Sequence, residues 1–89
     1  MPYIPQVERK AWQSALAKVA SIIVDRGMSN GDLNYLMTKL ALYYIIRHGK
    51  SYNTLSDVIK AFECAKLEFY RRHVAPYEDR KITQNGDII

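Results

Sequence analysis

The chain has 89 residues and a mass of 10.3 kDa, enough for one domain and too little for a second core or a long linker. Thirteen Lys and Arg against nine Asp and Glu give a net charge of +4, with 48% hydrophobic and 25% charged residues, a composition that argues against disorder and low complexity. A folded chain of this size exposes roughly 5,400 Å², about a third of its unfolded surface, so a lone copy is marginal and self-association is a reasonable expectation. No apolar stretch reaches the ~20 residues of a membrane span. The opening Met1 to Pro5 lacks the basic-then-apolar pattern of a signal peptide, so a cytoplasmic protein is expected. The single cysteine, Cys64, allows neither an internal disulfide nor a multi-cysteine metal site.

Three stretches repeat their apolar residues with the 3.6-residue period of a helix. In the first, from Gln6 to Arg26, Trp12, Leu16, Val19, Ala20 and Ile23 share one stripe, opposite Ser14, Lys18, Ser21 and Asp25. Pro5 suits its start and Gly27 its stop. The second opens at Ser29, where Asp32 three residues on makes an acidic form of the capping box, and closes before Gly49. The third begins near Ser51 or Thr54 and is expected to run to Ala75, because the residue before Pro76 is driven away from helical geometry. Short connections then imply antiparallel neighbours. The predicted fold is all-α, a three-helix up-down-up bundle over residues 1–75, with an irregular tail over 76–89 that is either disordered or docked on a neighbouring copy.

The second and third helices carry more apolar surface than one small bundle needs. Leu33, Leu36, Leu40, Tyr43 and Tyr44 fill a core-facing arc, yet Tyr35, Leu42 and Ile46 lie about 100° away on another flank. The run from Leu40 to Ile46 contains no charge, so it points apolar groups all round the helix. On the third helix Leu55, Val58, Ile59, Phe62, Ala65 and Phe69 form the core arc, and Leu67 with Val74 makes a separate outer patch. Tyr35, Leu42, Ile46, Leu67 and Val74 are therefore the candidate interface of a homo-oligomer.

Chemistry-bearing residues concentrate at one end. Lys66 falls inside an apolar arc between Phe62 and Phe69, where it snorkels, pairs with Glu63 or faces an anion in a cleft. Arg71, Arg72, His73, Arg80 and Lys81 gather positive charge, and Tyr70, Tyr77 and Tyr52 could stack on a base. An anionic small molecule, a nucleotide for example, is the ligand class this set suits. Glu63 and Glu68 have basic neighbours at spacings that stabilise a helix, which is the bland account of the same residues. No hydrolase or phosphate-loop motif is present, and no histidine pair has metal-ligand spacing, so neither enzyme activity, a cofactor nor a metal is expected. Residues 1–75 hold eleven bases and six acids, a net +5, but these are spread over all three helices. A helix-turn-helix use of Asn53, Ser56 and Lys60 on DNA is correspondingly weak.

The opening MPYI, the segment GDLNY at 31–35, ECAKLEFYRR at 63–72 and APYEDRKITQNGD at 75–87 together resemble a family of small, functionally uncharacterised proteins of bacteriophages and bacteria. The resemblance implies a compact helical unit with a shared acidic and basic tail, and points to Tyr70, Arg71, Arg72, Tyr77, Glu78, Asp79 and Lys81 as one unit. It transfers no activity. Arg80 stands where an acidic residue is expected, and the chain closes on Ile88 and Ile89. A phage origin would suit a non-enzymatic oligomer that captures a signalling nucleotide; the alternatives are an adaptor or inhibitor that docks on a host protein and a DNA-associated accessory protein.

Overall fold

A computed structural model describes residues 3–89. Met1 and Pro2, half of the MPYI segment, lie outside the described residues. The protein is all-α. Helix α1 covers Gln6–Arg26, α2 Asn30–His48, α3 Tyr52–Phe69 and α4 Ala75–Asn85, with a π-helical turn at Tyr70–Val74 between the last two.

Local chemistry accounts for the helix ends. Ser29 caps α2: its hydroxyl accepts the Asp32 backbone N–H at 3.0 Å, and its own N–H donates to the Asp32 carboxylate at 2.9 Å. Ser51 and Thr54 repeat the reciprocal pattern at the start of α3 with two hydroxyls, and the Thr54 hydroxyl also donates to the Gly49 carbonyl at 2.7 Å. Gly27, Gly49 and Gly86 stop α1, α2 and α4 at φ of 79°, 86° and 90° with ψ near the extended range, a region open essentially to glycine alone.

The tail corrects the expectation drawn from Pro76. Residues 76–85 are helical, and Gly86 ends the helix. Proline lacks an N–H and its ring collides with the carbonyl four residues back in a regular helix. The wide turn at Tyr70–Val74, closed by the Ala75 N–H donating to the Tyr70 carbonyl, relieves that collision, and Pro76 then falls in the first turn of α4, where its missing donor costs nothing.

The helices stand in an open arrangement. α2 packs on α3, and α3 is continuous through the π-turn with α4, whereas no Cα of α1 comes within 8 Å of another helix. Contacts hold α1 near its two ends. Before it, the Tyr3 hydroxyl donates to the Glu68 carboxylate and accepts from Arg72 Nε at 3.3 Å, at the far end of α3. After it, Arg26 lies 3.6 Å from the Asp32 carboxylate at the start of α2. Twenty-one residues span about 30 Å, so the start of α2 and the end of α3 are set apart by roughly the length of α1. The radius of gyration is 16.9 Å, against about 12 Å for a compact chain of this length.

An open arrangement leaves the apolar arcs wet. None of the described residues is buried within one copy. Leu33, Leu40, Tyr43 and Tyr44, expected to face a core, are exposed, and so are Trp12 and Leu16.

Candidate functional site

The basic end is built where α3 widens into the π-turn. A helix places positions i+3 and i+4 beside position i, so Glu68 meets both following arginines: Arg71 Nη2 donates to its two oxygens at 2.8 and 3.0 Å, and Arg72 Nε donates at 2.8 Å. The Glu68 side chain is 20% exposed. Arg72 first, then Arg71, hold its carboxyl below the usual glutamate range. Arg72 also lies 5.9 Å from the centre of the Tyr3 ring.

One turn further, the hydroxyl of Tyr70 donates to Glu78, a contact that pushes the phenol above its usual range. His73 packs on Phe69 with ring centres 4.8 Å apart. On α4, Arg80 and Lys81 lie 5.7 and 5.5 Å from the centre of the Tyr77 ring. Tyr3, Glu68, Phe69, Arg72 and His73 line a shallow open cleft of about 300 Å³.

The structure thus brings Arg71, Arg72, His73 and Tyr70 to one end, but engages most of their charge internally. Lys66 takes the bland option: its ammonium sits 3.3 Å from Glu63 and it does not line the cleft. Arg80, Lys81 and Tyr77 form their own stack on α4. The residue that sequence reasoning missed is Tyr3, which closes the cleft from 65 positions away; no local spacing carries that signal. Glu68 was visible as a helix-stabilising partner, though not as the acceptor shared by both arginines and the tyrosine.

The apolar candidates lie elsewhere. Tyr35 is 60%, Leu42 50%, Ile46 78% and Leu67 56% exposed, and Val74 is half-buried at the π-turn. Between α2 and α3 runs an open groove of about 480 Å³ lined by Met37, Leu40, Tyr44, Val58, Ala61 and Phe62, among others. The Tyr44 hydroxyl donates to Asp57 across it at 3.0 Å, and the carboxylate pushes that phenol above its usual range. A smaller apolar hollow of about 210 Å³ lies at the corner of α1 and α2, beside Ile23, Met28 and Leu36.

Among the described residues no group of three or more His, Cys, Asp or Glu side chains is placed to hold a metal ion. No described helix is long and apolar enough to cross a membrane.

Neither the curated proteins nor the solved structures contain a match to this sequence. The chain belongs to the family described as Domain of unknown function (DUF6899), which it matches over residues 1–88.

Proposed function

Starting from that membership, which assigns no activity, we propose that this protein is a non-enzymatic helical binding protein whose first partner is itself: it folds and works as a homo-oligomer. The observation that supports this is the accessible surface of one copy, 8077 Å². A compact monomer of the same mass would expose about 5,400 Å², so each copy carries an excess of about 2,700 Å². Two copies covering that excess would bury about 5,400 Å² in total, at the scale of obligate homodimer interfaces. Much of what would be covered is apolar, since Tyr35, Leu42, Ile46 and Leu67 line outer flanks of α2 and α3.

The basic end is the secondary site in this proposal. A phosphate-bearing ligand would have to compete with Glu68 for Arg71 and Arg72, and the cleft beside His73 is shallow. The phage setting and the capture of a signalling nucleotide rest on sequence resemblance, whereas the unburied apolar surface is a property of the fold. Sedimentation velocity and light scattering at micromolar concentration test the proposal. A defined species at a multiple of 10.3 kDa is the expected result. A folded, helical 10.3 kDa particle would reject it.

A further inference from the structure

The groove between α2 and α3 is a two-helix wedge that lacks its third helix. Its lining mixes the small Ala41, Ala61 and Ala65 with the larger Met37, Leu40 and Phe62. Among the described residues, Asp57 is the only charged one lining it.

The matching surface is on α1. α1 presents Trp12, Leu16, Val19 and Ile23 on one stripe, about 16 Å from first to last at 1.5 Å per residue, and Trp12 is 61% exposed. It carries Arg9, Lys10, Lys18 and Arg26 against Glu8 and Asp25, a net +2, so its charge complements the carboxylate in the groove. Its own chain does not supply the pairing. α1 is held at its two ends, through Tyr3 to Glu68 and Arg72 and through Arg26 to Asp32; toward the second end Val19 and Ile23 border the hollow shared with Tyr35 and Leu36 of α2, but no Cα of another helix comes within 8 Å of α1. Laying α1 into its own groove would require breaking one of these attachments.

We propose that α1 of one copy lies in the groove between α2 and α3 of a second copy, so that exchanged first helices hold the assembly together. Exchange reproduces between copies the contacts that a closed three-helix unit would make within one. The inference rests on the homo-oligomer proposed above and adds which surfaces meet. Area is in keeping with it: a 21-residue helix is about 30 Å long, and seating it on an apolar groove, twice per pair, covers surface that one copy leaves exposed.

Trp12 is the only tryptophan and Cys64 the only cysteine, and Cys64 sits on α3 next to the groove residue Ala65. One chain carries Trp12→Phe with a nitroxide quencher on Cys64; the other keeps Trp12 and carries Cys64→Ser. The two are co-refolded, and their mass and helicity are checked by light scattering and circular dichroism. Loss of about half of the Trp12 emission at an equimolar ratio is expected, because half the grooves are then labelled. A second pair, with the quencher on Lys60→Cys in a Cys64→Ser background, guards against disturbance at the half-buried Cys64. Undiminished emission in a sample that remains oligomeric with both labels overturns the exchange while leaving the oligomer standing. Quenching that survives when a chain bearing both Trp12 and the label is diluted into a large excess of unlabelled Trp12→Phe chain also overturns it, since the contact would then lie within one copy. A monomeric sample removes both proposals together.

Discussion

Replacing Ile46 by lysine is the sharpest perturbation of the proposed assembly. Ile46 is 78% exposed in one copy and sits inside the uncharged run of α2, so its side chain contributes little to the isolated fold. Lysine is a better helix former than isoleucine, so α2 itself should not suffer. Full burial of an isoleucine stabilises by about 2–3 kcal/mol, and with most of that still to be gained on association, the loss is roughly 1.5–2 kcal/mol per copy. A two-fold interface loses it twice, about 3–4 kcal/mol, before the added cost of drying an ammonium. At 1.4 kcal/mol per tenfold, association should weaken by about two to three orders of magnitude. Sedimentation equilibrium over a concentration series measures this directly. Ile88→Lys, at a residue 98% exposed beyond the end of α4, is the control and should leave association unchanged. If Ile46→Lys sediments as the unaltered protein does, Ile46 faces solvent in the assembly and this flank of α2 is not an interface.

Three further outcomes test the fold and the basic end. Gly49→Ala forces a side chain into the glycine-only region at φ 86° and should destabilise by about 1–3 kcal/mol, whereas Gly31→Ala, inside α2 with only an ordinary contact to the Ser29 hydroxyl, should be neutral or slightly stabilising; paired melting curves decide it. Ser29→Ala removes half of the α2 capping box and should cost about 0.5–2 kcal/mol in urea titration, with Ser29→Asp recovering most of it. Glu68 titrates lower in the folded chain than in the unfolded one because Arg72 and Arg71 donate to it. Its contribution to stability is therefore fully present above the ordinary glutamate value of about 4.3 and is lost as pH falls through the depressed folded value. Glu68→Gln should flatten the acid limb of the stability profile relative to the unaltered chain, and an unchanged acid limb would show that the two arginines are not held by this carboxylate in solution.

The helices were legible because their signals are local. The 3.6-residue spacing around Trp12 and Leu16, Ser29 with Asp32, and a glycine after Arg26 and after His48 each act within a few residues, and the structure has these ends where the sequence puts them. Pro76 misled for the converse reason. Its rule is a bias on the preceding residue, and Ala75 stays helical at φ −59° and ψ −47°, with the π-turn at Tyr70–Val74 leading the chain into Pro76. Within the basic end, the pairing of Glu68 with Arg71 and Arg72 follows from spacing along one helix, but Tyr3 enters from the other end of the chain.

By itself, then, the sequence determined an all-α protein and the bounds of its first two helices, since each depends on side chains close in sequence. Only the tertiary structure decided that α1 stands clear of its own α2 and α3, that the tail continues as α4, and that Tyr3 meets Glu68 and Arg72. Those outcomes depend on where rigid helices point once their ends are joined, and helix direction is set by turns and long-range contacts that no local period encodes.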